Sequence, residues 1–240
     1  MPDFYDMHCH ILCGVDDGPK QMEDSLTMLQ LEYDSGVRTI YLTPHFRRGM
    51  FECSPERRIE SYEALKAWAG QHLPDLKLIL GCEFHVHTDA VQQLRSSRCL
   101  TLGDTEFVLL EFPVAAEKRY IIEQCHAVMN GGYSPVIAHA ERCTAIRKDL
   151  GLLQRLVDMG VYIQMNAGSI IGENGLVWKW FCKKAMQHDL LHFVGSDAHN
   201  LKSLRPNLDK CARYLEKTMG TAYRDQIMIS NPREIIEGSV

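Results

Sequence analysis

Two histidines stand one residue apart near the start of the chain, in "DMHCHIL", and the spacing returns near its end as aspartate and histidine in "GSDAH". Strand side chains alternate between faces, so His8 and His10 are expected on one side, with Met7, Cys9 and Ile11 on the other. The same spacing puts Asp197 and His199 on a common side. Between these pairs lie Asp16 and Asp17 in "VDDG", His45 in "TPH", Glu83 in "GCE", Glu111 in "LLEF", and His139 with Arg142 in "AHAER". Imidazoles and carboxylates drawn from distant parts of a chain are what hard or borderline divalent ions require. Their number exceeds the needs of one ion, so two or three ions with shared bridges are implied.

All of these but the two aspartates of the "VDDG" loop fall at or near the end of an apolar run. "FYDMHCHIL", "VRTIYLTPH", "LKLILGCEF", "TEFVLLEF", "SPVIAHAER", "VYIQMNAG" and "LHFVGSDAH" read as strands, separated by amphipathic helical segments. Strands alternating with helices indicate parallel βαβ units. "MEDSLTMLQLEYDSG" closes on Gly36 as a C′ residue, and "SPERRIESYEALKAWAG" opens with Ser54 as cap and Pro55 at its first position. Ligand-type residues at nearly every strand end favour a closed barrel, which gathers them at one mouth, over an open doubly wound sheet. Seven strands are predicted, in one domain spanning residues 1–240.

Composition narrows the functional classes. The chain has 240 residues, 45% of them hydrophobic, and a formal net charge of -5, so it lacks the basic field of a nucleic-acid binder. No stretch approaches the roughly 20 apolar residues of a membrane span, and no signal-peptide pattern opens the sequence. A cytoplasmic protein with no membrane insertion is expected. Nine cysteines, an odd number without a C-x-x-C pair, argue against a disulfide framework and a thiolate zinc site. None of these cysteines has an arginine six residues after it, so a cysteine nucleophile of the C-x5-R type is disfavoured. Cys9 is expected to face the core.

Taken together in this order, "DMHCHIL", "VDDGP", "TPH", "GCE", "AHAER" and "SDAH" resemble the PHP (polymerase and histidinol phosphatase) metallophosphoesterases. Within that group the chain is most similar to the manganese-dependent tyrosine phosphatases of bacterial capsule and exopolysaccharide loci. The likeness runs from Asp6 to "NPREII" and includes "HFRRGMFE" and "DAHNLKSLRPN". It implies a distorted seven-stranded, TIM-like α/β barrel of the PHP type with a trinuclear site. One ion would take His8, His10, Glu83 and Asp197. A second would share Glu83 and add Glu111 and His139, and a third would take Asp17, His45 and His199. Asp17 is preferred to Asp16 because the family uses the second aspartate before the glycine. Arg142 and Arg205 match the family's phosphate-binding positions, and a planar guanidinium suits phosphate oxygens.

The implied chemistry is phosphomonoester hydrolysis. Ions held a few Å apart lower the pKa of a bridging water from about 15.7 towards about 7, giving a hydroxide able to attack phosphorus in line. A phenolate leaving group, with a pKa of about 10, needs little protonation. The resemblance implies manganese, with iron or zinc as alternatives, and a partner: the phosphotyrosine tail of a membrane-associated tyrosine kinase that controls polysaccharide assembly. A small-molecule phosphatase of the histidinol-phosphate type would use the same ions in a more enclosed pocket. A non-catalytic, metal-stabilised binding module would have no need of the two arginines.

Other residues carry weaker signals. His85 and His87 continue the face of Glu83 and are expected near the mouth, behind the ligands. Arg47 and Arg48 belong to the loop after His45, as solvated charge or as contacts to an acidic phosphopeptide. Asn166 ends a strand at the active face. His72, His126, His188 and His192 are expected to be structural or exposed, and Trp178 and Trp180 to serve core or subunit packing.

Overall fold

The structure, a computed structural model, describes residues 3–236. Among these described residues nine strand segments occur: β1 (Phe4–Cys9), β2 (Val37–Leu42), β3 (His45–Phe46), β4 (Lys77–Leu80), β5 (Glu83–His85), β6 (Phe107–Glu111), β7 (Ser134–Ile137), β8 (Tyr162–Asn166) and β9 (Phe193–Gly195). The helices between them include α1 (Met22–Asp34), α2 (Pro55–His72), α3 (Ala90–Arg95), α4 (Lys118–Asn130), α5 (Thr144–Arg147), α6 (Leu150–Asp158), α7 (Ala167–Ile171), α8 (Leu176–Gln187) and α9 (Leu208–Met219). All named strand pairs are parallel. A three-stranded sheet runs β1-β2-β4, and a six-stranded half-barrel runs β3-β5-β6-β7-β8-β9.

The prediction of seven continuous strands is therefore corrected. The runs "VRTIYLTPH" and "LKLILGCEF" each break into two segments, at Thr43–Pro44 and at Gly81–Cys82. Proline has no N–H to give to a ladder, and β2 stops just ahead of it. Hydrogen bonds from Gly81 N to Leu42 O (2.8 Å) and from Glu83 N to Pro44 O (3.1 Å) carry the pairing across both breaks. On the other side, His10 N donates to Ala198 O (2.9 Å) and Asp197 N donates to His8 O (2.8 Å), joining the end of β9 to β1. The mouth of the curl is thus laced by single bonds where the sheets part.

Local signals act as expected at two helices. Arg57 N donates to Ser54 Oγ at 3.2 Å ahead of α2, with Pro55 at its first position, and α1 is followed by Gly36 at φ +90. The larger core cluster joins strands to helices. A smaller one, including Met7, Leu109, Val136 and Phe193, comes from strand residues with Leu102 and Ala138.

Strict alternation fails in β1. Its register shifts between Asp6 and Cys9, so Met7 packs in the smaller cluster while Cys9 and Ile11, expected on its face, join the larger one. β1 and β9 approach so closely here that a Cβ on Gly195 would lie 2.5 Å from His8 Cβ. Only glycine fits, and the contact sets His8 beside the segment that bears Asp197.

Candidate metal centre

The chain's parallel topology brings the ligand-type residues to one end of the strands. His8 and His10 come from the end of β1 and the residue after it, and Asp17 from the following loop. His45 and Glu83 open β3 and β5, Glu111 closes β6, and His139 follows β7; Asp197 and His199 follow β9. Glu83 lies at the centre. Its Oε1 is 2.6 Å from His139 Nε2, and its Oε2 is 2.9 Å from His45 Nδ1 and 3.2 Å from both His8 Nε2 and His10 Nε2.

Around this carboxylate the remaining groups close in. Asp197 Oδ1 stands 3.6 Å from His8 Nε2, His10 Nε2 and His199 Nδ1. Asp17 Oδ1 is 3.7 Å from His45 Nε2 and 3.5 Å from His199 Nε2. Four overlapping groups have ligand atoms mutually within 4.8 Å: His10, Asp17, His45 and His199; His8, His10 and Asp197; His8, Glu83 and His139; and His45, Glu83 and Glu111. All nine predicted metal-ligating residues fall in at least one of them.

The backbone bends to achieve this. His139 (φ +31) and Asp197 (φ +53) are non-glycine residues with positive φ, a conformation that costs of order 1–3 kcal/mol and persists where surrounding contacts impose it. Those contacts are visible. His139 N donates to Gln164 Oε1 (2.7 Å), and Asp197 Oδ2 accepts from Asn166 Nδ2 (2.6 Å).

Gln164 and Asn166 share one face of β8 and form a directed chain. Gln164 Oε1 also accepts from His8 Nδ1 (3.2 Å), and its Nε2 donates to Asn166 Oδ1 (3.0 Å). Asp16 acts similarly on the other side, where its Oδ2 takes a bond from His10 Nδ1 (2.7 Å) and another from His45 N (2.9 Å). Asp16 therefore stands behind His10, while Asp17 faces His45 and His199. With their Nδ1 atoms donating, His8 and His10 present Nε2 lone pairs to each other at 3.0 Å. Such lone pairs repel unless a proton or a cation lies between them.

The charge balance agrees with that reading. Burial favours an uncharged Glu83, but His8, His45 and His139 hold its carboxyl well below the usual range. Burial likewise raises Asp17, yet His199, His45 and His10 bring it down to about 2. His45 is pulled down by burial and pushed up to about 10 by Glu83, Glu111 and Asp16. Buried Glu83 Oε2 and His45 Nδ1 nevertheless find no hydrogen-bond partner of acceptable geometry. Close imidazole and carboxylate atoms that fail to satisfy one another suit a shared cation, so these residues fit a cluster of divalent ions.

A cleft of about 300 Å³ opens beside the cluster, lined by Asp17, His45, Arg142, Asp197 and His199 among others. Arg142 Nη1 donates to Asp197 Oδ2 at 3.3 Å, and 39% of its side chain is exposed. Arg205 is placed differently: it is exposed, does not line the cleft, and acts electrostatically on Glu173. Arg48 is half exposed and paired with Asp89 at 2.8 Å, in a loop that folds back as Arg47 and Phe51 pair. Phe51 stacks on His45, ring centroids 5.1 Å apart.

His85 is buried and holds Glu111 Oε2 at 2.8 Å, and His87 packs edge-on against it. Cys9 is fully buried, as expected. Of the two packing roles expected of the tryptophans, the core one is corrected: Trp178 lines the cleft and Trp180 is 62% exposed, because α8 begins at the cleft's rim. Gln164 is a functional residue without an ionisable side chain to mark it, although "QMN" in an apolar strand repeats the spacing of "HCH". Asp6, whose carboxylate binds Ser196, and Glu141, which accepts from Asn166 N at 3.2 Å, also lie outside the predicted set.

Comparison with known proteins bears on this arrangement. The sequence model of a family described as "Capsular polysaccharide synthesis, CpsB/CapC" matches residues 4–237. Over 236 residues the chain is 35% identical to the tyrosine-protein phosphatase CpsB of Streptococcus pneumoniae, covering 96% of this chain and 97% of that one. A solved structure from work on YwqE of Bacillus subtilis and CpsB of S. pneumoniae, called unique metal-dependent tyrosine phosphatases, superposes with a TM-score of 0.85 at 34% identity. It covers 92% of this chain and 89% of the other. Histidinol phosphate phosphatase of Lactococcus lactis is similar in fold alone, with a TM-score of 0.59 and 14% identity over 92% of this chain and 95% of that one.

Proposed function

The chain belongs to the CpsB/CapC family of capsular polysaccharide synthesis, and from that membership together with the cleft we propose that it is a metal-dependent protein-tyrosine phosphatase. The observation that carries the proposal is the convergence of nine ligand-type side chains beside a cleft into which Arg142 opens. The ligands are His8, His10, Asp17, His45, Glu83, Glu111, His139, Asp197 and His199. Two or three ions are held, with manganese as the ion in the cell and iron or zinc able to replace it. Those ions supply Lewis acidity at phosphorus and an activated water for attack on it.

The chain's own residues do the rest. Gln164 and Asp16 fix the tautomers of His8 and His10, so that Nε2 faces inward on each ring. Arg142 binds non-bridging phosphate oxygens through its fork of N–H donors and is kept pointing at them by Asp197. Arg205, beside Leu204 at the rim, adds positive charge on the approach. Since the leaving phenol has a pKa of about 10, no strong general acid is required.

The substrate is the phosphotyrosine tail of a membrane-associated tyrosine kinase governing polysaccharide assembly. The chain works as one domain in the cytoplasm, a reading supported by nine free cysteines, all but Cys53 buried, that suit a reducing compartment. Among the described residues no helix is long and apolar enough to cross a membrane.

The test is hydrolysis of a tyrosine phosphopeptide by metal-stripped protein after manganese is added back, beside His8→Ala and Arg142→Ala, with histidinol phosphate as comparator. Restored turnover of the peptide, lost in both variants but with metal content lost only in the first, is expected. Bound metal with no turnover of the peptide would overturn the proposal.

A further inference from the structure

Trp178 is set apart from the other two tryptophans by its surroundings. Trp68 stacks on His72 and Trp180 lies under Lys183, whereas Trp178 has no ring, cation or hydrogen-bond partner among the described residues. It is carried at the start of α8 immediately after the turn Gly172–Gly175, and it lines the same cleft as Asp17, His45 and Arg142. Only Trp178 and Leu204 among the cleft's lining residues are apolar. An otherwise polar cleft thus has two apolar lining residues, and the partly exposed Trp178 offers an indole on which a ring can stack.

Resting on the phosphatase reading above, we propose that Trp178, backed by Leu204, binds the aromatic ring of the phosphotyrosyl substrate and is a specificity-determining residue. A phosphate held by Arg142 and the ions leaves the ester's organic group to lie along the cleft. An aryl group there covers the indole and Leu204, whereas a short alkyl group leaves both wet. This gives the site a preference for aryl over alkyl phosphates apart from any effect of leaving-group chemistry.

Phosphonates separate the two effects because they are not hydrolysed. With the manganese-loaded enzyme turning over a tyrosine phosphopeptide, inhibition constants are measured for phenylphosphonate and methylphosphonate in the wild type, Trp178→Ala, Trp178→Leu and Trp178→Phe. The wild type is expected to favour the phenyl compound by about tenfold, consistent with one stacked pair. Trp178→Ala and Trp178→Leu should erase most of that preference, and Trp178→Phe should keep it. Metal content and circular dichroism establish that each variant is folded and loaded, and Trp178→Leu preserves bulk if alanine disturbs α8. No preference in the wild type, or a preference unchanged in the alanine and leucine variants, overturns the assignment. Absence of wild-type turnover on the phosphopeptide would instead overturn the phosphatase reading beneath it.

Discussion

Asp6 and Ser196 are joined twice, the Asp6 carboxylate accepting from Ser196 N at 2.8 Å and from Ser196 Oγ at 2.6 Å. The pair fastens β1 to the end of β9, two residues before His8 and one before Asp197. Asp6 also accepts from His8 N at 3.2 Å, and it is fully buried. Asp6→Ala would strand the N–H groups of Ser196 and His8, at a cost of about 1–3 kcal/mol per stranded group, and leave Ser196 Oγ only the weaker bond to His8 O at 3.5 Å. A lower urea midpoint together with weaker metal retention is expected; an unchanged metal affinity would show that the closure is not needed to place His8 and Asp197.

Behind Asp6 lies Glu32 of α1, fully buried, with neither carboxylate oxygen hydrogen-bonded in acceptable geometry. Burial, with Asp6 beside it, pushes its pKa well above the usual carboxylate value. A raised folded pKa means that this group's stability contribution is fully present below about 4.3 and is lost as pH rises towards the folded value. Across that window the loss is about 1.4 kcal/mol per pH unit. Glu32→Gln removes the titration, so the variant should gain on the wild type as pH rises. Denaturant titrations at a series of pH values would show it, and parallel curves would refute it.

Gln164 touches no predicted ion position, yet its amide serves His8, His139 and Asn166 at once. Gln164→Leu removes both hydrogen-bond acceptors and donors from that chain and releases the tautomer of His8. Loss of such outer partners typically weakens metal affinity by about 10–100-fold. Competition with a chelator should show a drop of that order with the fold retained by circular dichroism. Affinity within a factor of two of the wild type would mean that the strands alone hold the ligands.

How much of this was legible beforehand depends on range along the chain. "HCH", "GCE", "AHAER" and "SDAH" announce ligands because ionisable residues in apolar runs are costly unless used. Their convergence follows from parallel topology, which puts all these strand ends at one mouth. What the sequence hides is set by contacts between distant segments. The register shift in β1 lies where Gly195 and His8 meet, and the division of roles between Asp16 and Asp17 follows from where His10 Nδ1 points. Arg205 stands outside the cleft's lining and Trp178 within it for a related reason: loop and helix-start geometry, unlike strand periodicity, leaves little trace in residue spacing.

Asp16 and Asp17 are adjacent in sequence but face different partners, and their variants should differ in kind. Asp17→Asn removes a carboxylate that faces the imidazoles of His45 and His199 directly. Asp16→Asn leaves the imidazoles of His45 and His199 their facing carboxylate and weakens the orientation of His10 together with the bond from His45 N. Metal analysis at saturating manganese should therefore find one ion fewer per chain in the first variant and the full complement, more weakly held, in the second. Equal stoichiometry in both would contradict the assignment of Asp17.

His192, at the start of β9's stave, offers a pH test remote from the ions. Its Nδ1 accepts from Ile163 N at 3.1 Å, so the ring is neutral, and burial lowers its pKa to about 4. In the unfolded chain the same imidazole titrates near 6.5. The unfolded state therefore binds the extra proton between these values, and stability falls as pH drops from about 6.5 to about 4, by about 3 kcal/mol at most. Above pH 6.5 both states are neutral and His192 contributes no slope. His192→Asn keeps an acceptor near Nδ1 and removes the titration, so its stability should fall less over the same interval. Urea midpoints measured on the wild type and this variant from pH 7 to pH 4 decide the point, and identical slopes would place the acid sensitivity in other residues.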